Sequence, residues 1–204
     1  TTTADNSCPI VLNLDQPQVA GLTVRINGIL TSTCSTISRF PSSCGARRGA
    51  GRSAARVAGW VAAVTEAGLD AQAAGRMPLY LGGDHALAAG SVNASALAAE
   101  AAGRPLIVLW LDAHTDFNTP ETTLSGMLGG MPVAIAAGHA LHNLRNIAGL
   151  AEPLPMEHIV WGGVRDLEPL ERGRFSQYEV QQFSVDDIRA LSPNLRRTID
   201  QLAS

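Results

Sequence analysis

The sequence contains no lysine, so all 15 of its basic residues are arginines. Its 18 acidic residues bring the formal net charge to −3, and no basic stripe runs along the chain. Nucleic acids and anionic membrane surfaces are bound through such stripes. The charge pattern therefore indicates a small neutral or zwitterionic ligand, and neither nucleic acid nor membrane is an expected partner.

Long apolar runs are also missing. No run reaches the roughly 18 residues that a membrane-spanning helix needs. The first residues carry no basic region followed by an apolar stretch, which a secretory signal would have. We therefore expect a soluble, cytoplasmic protein.

Cysteine is scarce, and the cysteines form no recognisable motif. Cys8, Cys34 and Cys44 are odd in number, irregularly spaced and confined to the first quarter of the chain. This pattern matches neither a zinc motif nor a disulfide framework. We expect free thiols.

The amino-acid composition of the sequence changes near residue 49. Residues 1–48 are rich in Ser, Thr, Pro and Cys, which predicts an irregular N-terminal segment with room for one or two strands. With 204 residues and 46% apolar composition, the chain is long enough for one sizeable core and short for two. We therefore interpret residues 49–204 as a single α/β domain.

Within that domain, predicted helices and strands alternate. The predicted helices span 54–75, 87–102 and 132–147, and two more follow Glu168 and Ser184. Continuous apolar runs, typical of strands buried on both faces, predict strands at 79–81, 106–111, 159–161 and around 178–183. The alternation implies βαβ units with right-handed crossovers around a mostly parallel sheet.

Two polar clusters follow two of the apolar runs, at the edge where a parallel sheet carries its binding site. They are Gly82-Gly83-Asp84-His85 and Asp112-Ala113-His114-Thr115-Asp116. An extended backbone would point Asp112, His114 and Asp116 to one side, and His85 would add a fourth ligand from the neighbouring strand. Imidazole nitrogen mixed with carboxylate oxygen suits a divalent ion such as manganese. The sequence predicts a metal site at this edge.

These clusters resemble the signature blocks of the arginase and agmatinase, or ureohydrolase, family, and the likeness is closest to arginases. The matching strings are Gly82-Gly83-Asp84-His85, Asp112 to Pro120, Thr122 to Gly126 and, more weakly, Gly163 to Pro169. The likeness covers roughly residues 50–190. It implies a three-layer α/β/α fold of the arginase and deacetylase type, which we expect to be truncated or degenerate at the C-terminal end in this chain.

The resemblance also implies a chemistry. The family uses two manganese ions to activate water for attack on a guanidinium carbon, and arginases convert L-arginine to L-ornithine and urea. By position, His85, Asp112 and Asp116 correspond to ligands of one ion, and His114 with the shared Asp112 to ligands of the other. Asp116 is also the predicted catalytic residue.

Four further residues correspond to substrate-binding positions of the family. Asn118 and Ser125 match positions that hold the amino-acid end of the substrate, which favours arginine over agmatine. Asp166 and Glu168 fall where the family has acidic groups near the substrate ammonium. We therefore expect a small guanidinium compound as the ligand.

The sequence departs from the family at positions that matter for catalysis. Met127 and Gly129 stand where the family has an asparagine and a proton-transferring histidine, and neither can replace those groups. Losing a general acid or base costs about 10²–10⁴-fold in rate, so impaired catalysis is expected. The family's later Asp-x-Asp has no counterpart, because Asp186-Asp187 is adjacent and predicted to begin a helix. We expect one manganese ion or a loosely bound pair.

Two alternatives to an active arginase-like enzyme remain open. The chain could be a catalytically inactive homologue that binds metal or forms oligomers. A deacetylase-like metal hydrolase on the related fold is more distant, since the continuation from Thr115 to Pro120 argues against it. We expect a homo-oligomer.

Overall fold

The structure, a computed structural model, describes residues 10–14, 25–26, 50–81, 84–147, 149 and 152–203. The strands are β1 (Ile10–Leu14), β2 (Arg25–Ile26), β3 (Met77–Leu81), β4 (Val108–Leu111), β5 (Ile159–Gly162) and β6 (Gln181–Phe183). The helices are α1 (Ala50–Ala73), α2 (Leu87–Ala101), α3 (Pro132–Ala136), α4 (His142–Asn146), α5 (Pro169–Phe175), α6 (Val185–Ala190) and α7 (Pro193–Ala203). The predictions for Cys8, Cys34 and Cys44 lie outside the described residues.

The strands form two three-stranded sheets. β4, β5 and β6 lie in that order and run parallel, and helices connect them, so the predicted α/β class with a parallel sheet is confirmed. β2, β1 and β3 form the other sheet, in which both pairings are antiparallel. The prediction that β3 and β4 are neighbouring strands of one parallel sheet is wrong for the described residues. An apolar run indicates burial but does not encode its pairing partner, and β3 pairs along its whole length with β1.

Burial differs between the strands of the parallel sheet. All four residues of β5 are buried, as a continuous apolar run predicts. In β4 only Trp110 is buried, while Leu109 and Leu111 are 45% and 58% exposed. The expectation that β4 is buried on both faces is therefore wrong, because Leu109 and Leu111 lie on one face of the strand, opposite Trp110, and that face is exposed in the described structure.

Aromatic residues pack the core beneath the polar cluster that follows β4. Trp161 and Phe117 are fully buried, and each meets the ring of Phe175 edge to face. Burying such a side chain contributes roughly 1.5–3 kcal/mol. Because Phe117 directly follows Asp116, this packing anchors the loop that carries the predicted ligands.

The predicted helix over 132–147 is wrong as a single helix, because the chain breaks between α3 and α4. Gly138 has φ +76°, and a Cβ at this position would lie 2.9 Å from atoms of Pro153. Leu141 also adopts a positive φ, of 42°. Left-handed backbone cannot continue an α-helix, so the alanine-rich stretch ends at the glycine.

The helix predicted after Ser184 is also divided, into α6 and α7, by Leu191 at φ +45° and the following turn. Its predicted start is confirmed. Ser184 Oγ accepts a hydrogen bond from the Asp187 backbone N–H at 3.1 Å, and the Asp187 carboxylate accepts one from Ser184 N–H at 3.1 Å. Asp186 and Asp187 therefore lie in the first turn of a helix, as predicted. In the described part of the chain, no helix combines the length and apolar character needed to cross a membrane.

Candidate metal centre

His85 lies between β3 and α2 and directly follows Asp84, whose side chain bonds to the backbone at the start of the helix. Asp84 Oδ1 accepts a hydrogen bond from Ala86 N–H at 2.8 Å, which satisfies a donor at the helix start. The His85 ring stacks on Trp110 of β4, with centroids 5.1 Å apart and planes 22° apart. His85 is therefore held against the strand that leads to the second polar cluster.

The second polar cluster does not continue as an extended strand. The chain bends over residues 112–114, and Asp116 adopts a left-handed backbone with φ +50°. Its carbonyl accepts hydrogen bonds from Val133 N–H and Ala134 N–H, at 3.1 and 3.3 Å, at the start of α3. The predicted extended backbone through Asp112, His114 and Asp116 is wrong, because the chain bends over residues 112–114 and turns left-handed at Asp116.

Three of the four predicted ligands nevertheless converge. Ligand atoms of His85, Asp112 and Asp116 all lie within 4.8 Å of one another. His85 Nδ1 is 2.9 Å from Asp116 Oδ2 and 3.7 Å from Asp112 Oδ2. The side chains of Asp116, Asp112 and His85 are 6%, 25% and 46% exposed, so the cluster opens to solvent on the histidine side.

The cluster fits a divalent cation. Two carboxylate charges within 4.8 Å of each other repel by at least on the order of 3 kcal/mol under the screening typical near a protein surface. The contact with the Asp116 carboxylate raises the pKa of His85, while its partial burial acts in the opposite direction. Asp116 Oδ2 is buried, and His85 Nδ1 faces it at 2.9 Å. Two carboxylates and an imidazole are a donor set that manganese accepts.

His114, the fourth predicted ligand, lies beside the cluster. Its Nδ1 is 3.1 Å from Asp112 Oδ1, and its backbone N–H donates to the same oxygen at 2.9 Å. Its Nε2 faces the exposed Asp166 carboxylate at 3.6 Å. Asp112 therefore has one oxygen toward His85 and the other toward His114, although His114 does not belong to the three-residue group.

The predicted substrate-binding residues lie on the segment after the cluster and at the start of α5. Asn118 is buried, and its Oδ1 accepts a hydrogen bond from Thr122 Oγ at 2.9 Å. Ser125 is exposed. Glu168 Oε2 accepts a hydrogen bond from Leu124 N–H at 3.0 Å, which ties α5 to this segment. Asp166 is 79% exposed. Binding of substrate by these four residues stays a prediction.

Gly129 lies directly beside the cluster. A Cβ at this position would be 3.2 Å from Asp84 Oδ1 and 3.7 Å from His85 Cβ. A side chain at position 129 would thus start next to a predicted metal ligand. Met127, two residues earlier, is 61% exposed. Gly129 therefore lies beside the site and Met127 at the surface, and neither belongs to the buried core.

Residues 112–117 form the ligand loop. Three residues that hold this loop or His85 in place were not identified from the sequence. Trp110 stacks on His85, and Trp161 Nε1 donates to the Thr115 carbonyl at 3.2 Å; both tryptophans are also buried in the core. Glu171 is buried and accepts hydrogen bonds from Thr115 Oγ and Phe117 N–H. A glutamate three residues after Glu168 is the spacing of a helix capping box, which is the signal that could have pointed to it.

Comparison with known proteins places this geometry in a family. A model of the arginase family matches residues 38–204. The chain belongs to the arginase family. The arginase of Brucella melitensis is 39% identical over 149 residues, which cover 70% of this chain and 47% of that protein. The resemblance found in the signature blocks is therefore confirmed.

Solved arginase structures share the fold. The native arginase of Bacillus caldovelox matches with a TM-score of 0.63 and 33% identity, over 72% of this chain and 48% of that one. The arginase of Bacillus cereus matches with a TM-score of 0.65 and 30% identity, over 74% and 52%. These matches confirm the arginase-type α/β fold. The chain spans about half the length of these arginase relatives.

Proposed function

We propose that this chain carries an arginase-type site that hydrolyses a guanidinium C–N bond with manganese as cofactor, and that L-arginine is its substrate. The observation that carries the proposal is the convergence of ligand atoms of His85, Asp112 and Asp116 within 4.8 Å of one another, around the buried carboxylate of Asp116. In a chain of the arginase family, such a cluster supports a metal-dependent activity. Manganese supplies there a Lewis acid that makes water a nucleophile near neutral pH.

Different residues of the chain are assigned to metal binding and to catalysis. Trp110 holds the His85 ring so that Nδ1 faces the two carboxylates. Asp112 contributes charge and joins His85 to His114, which would hold a second, looser ion. Asp116 is the catalytic residue we propose, because its buried Oδ2 can orient water and take up a proton from it.

Substrate binding is assigned to the segment after the cluster. Asn118 and Ser125 would hold the amino-acid end of arginine, and Asp166 and Glu168 would attract its ammonium group. The hydrogen bond from Leu124 N–H to Glu168 supports this assignment, because it keeps both groups of residues at one mouth of the site. The name of the relatives, arginase, favours arginine over agmatine.

We further propose that turnover is impaired. Gly129 offers no imidazole beside His85 and Met127 offers no amide, so proton transfer and substrate binding both lose a polar group.

Assembly into a homo-oligomer and a cytoplasmic location are further proposals. Sedimentation of the purified chain and cell fractionation test them.

Urea release tests the catalytic proposal directly. The chain is incubated with manganese and, separately, arginine, agmatine and guanidinobutyrate. Slow release of urea from arginine above the other two is expected, and Asp116→Asn should abolish it. Equal release from all three compounds would contradict the substrate assignment. Release that persists in Asp116→Asn would contradict the role of Asp116.

A metal-binding homologue without catalysis is the second candidate, and the glycine at position 129 favours it. It predicts manganese bound in stoichiometric amount and no urea from any of the three compounds. Urea release separates the two candidates, and elemental analysis of the same samples shows that metal is bound in both cases. The elemental analysis also distinguishes one ion from two.

A further inference from the structure

Glu171, in the first turn of α5, is a buried carboxylate with three hydrogen bonds. It is 2% exposed. Oε1 accepts from Thr115 Oγ at 2.5 Å and from Phe117 N–H at 3.0 Å, and Oε2 accepts from Glu168 N–H at 3.3 Å. A buried ionised carboxylate is tolerated only when its oxygens are hydrogen-bonded. All of these bonds run to the ligand loop or to the start of its own helix.

The two bonds to the loop lie on either side of Asp116. Thr115 precedes this ligand and Phe117 follows it, and Asp116 itself has φ +50°. A residue with a side chain holds such a backbone only when the surrounding structure enforces it. The start of α3 holds the Asp116 carbonyl, and Glu171 holds the two flanking residues. Together these contacts decide where the Asp116 carboxylate points.

We propose that Glu171 is a positioning residue for metal binding, which fixes the direction of Asp116 without touching the ion. This inference rests on the proposed metal site and deepens it. Glu171 lies far along the sequence from the ligands. Its contribution comes from α5, so the start of that helix is part of the metal centre's support. Partners of this kind typically change metal affinity by roughly 10–100-fold when they are replaced.

Substitution by glutamine tests the carboxylate itself. Glutamine keeps the shape of Glu171, but one oxygen becomes an NH₂ group that can only donate. The carboxylate oxygens face donors on both sides, Glu168 N–H on one and the Thr115 and Phe117 groups on the other. In either orientation, the amide therefore meets at least one donor with another donor.

The experiment measures manganese affinity by calorimetry at a temperature where circular dichroism shows each variant folded. Glu171→Gln should weaken binding roughly 10–100-fold. Thr115→Val, which removes the hydroxyl donor, should weaken it less, and Thr115→Ser should restore it. Asp187→Asn is the matched control, because it breaks the same kind of capping box at α6, where Asp187 bonds to Ser184. The control should leave manganese affinity unchanged.

Amide exchange of Phe117 provides a readout that needs no metal. In the metal-free chain, this N–H should exchange slowly in the wild type and faster in Glu171→Gln, since the variant weakens its acceptor. Equal exchange in the two proteins would overturn the inference whether or not manganese binds. If Glu171→Gln does not fold, exchange and affinity in Thr115→Val against Thr115→Ser decide the question in its place.

The affinity outcomes separate this inference from the proposed function. A folded Glu171→Gln with wild-type manganese affinity overturns the positioning role alone, as does an Asp187→Asn control that weakens binding equally. A wild type that binds no manganese overturns the proposed function and, with it, the metal role of Glu171. The Phe117 exchange rates then still report whether Glu171 holds the loop.

Discussion

Restoring an imidazole at Gly129 should raise turnover, and the structure indicates that the site accepts it. A Cβ at this position would be 3.2 Å from Asp84 Oδ1, slightly closer than ordinary contact. Asp84 is exposed, and its carboxylate accepts one hydrogen bond from Ala86 N–H. Losing this bond when Asp84 moves aside would cost about 0.5–1.5 kcal/mol. Gly129 lies in a short 3-10 turn over Leu128–Gly130, and replacing a glycine in helical backbone returns about 0.5–1 kcal/mol. Gly129→His should therefore fold with nearly unchanged stability.

The gain in rate follows from the chemistry of the added group. A positioned general acid or base contributes about 10²–10⁴-fold, so urea release from arginine with saturating manganese should rise within that range. Gly129→Ala has the same Cβ without the imidazole and should stay at the wild-type rate. The reasoning is refuted if Gly129→His is no faster than Gly129→Ala at equal manganese occupancy.

Two further predictions concern the stability of the chain. Burial lowers the pKa of His139 below its ordinary 6.5, and the nearby Arg174 and His142 act in the same direction. The unfolded chain therefore binds more protons at this residue, so its contribution to stability is present above pH 6.5 and lost as the pH falls toward the folded-state pKa. Urea denaturation between pH 7.5 and 5.5 should show a smaller loss of stability in His139→Gln than in the wild type; an equal loss would contradict this. Gly138→Ala should destabilise the chain by about 1–3 kcal/mol, since φ is +76° and the new methyl would lie 2.9 Å from Pro153, and an unchanged denaturation midpoint would argue against the break described there.

Local sequence signals predicted much of the fold. α2 was expected over 87–102 and spans Leu87–Ala101, because a run of good helix formers needs no distant partner to be recognised. The capping box of Ser184 and Asp187 is equally local. The pairing of β3 with β1 could not be predicted, since strand pairing depends on residues far away in the sequence. The break at Gly138 escaped because the surrounding alanines favour a helix more strongly than one glycine opposes it.

The site, like the fold, was predictable where the signal is local and not where it depends on distant residues. The types and spacing of Asp112 and Asp116 after an apolar run, with His85 after another, were sufficient to predict a cluster. The left-handed turn at Asp116 was not predictable, because it depends on hydrogen bonds from the start of α3 and on Glu171. His114 was expected inside the cluster on the assumption of an extended backbone, whereas the chain bends over residues 112–114 and His114 lies beside the three-residue group, against Asp112.

Calorimetric titration of the metal-free chain with manganese, repeated on Asp116→Asn, tests the central claim most directly. Asparagine tolerates the left-handed backbone at position 116, so the variant should fold while lacking the buried charge. Saturable binding to the wild type is expected, with the variant weakened by more than the roughly 100-fold typical of groups outside the ligand set. No heat of binding with the wild type, or equal affinity in both proteins, would contradict a metal centre formed by His85, Asp112 and Asp116.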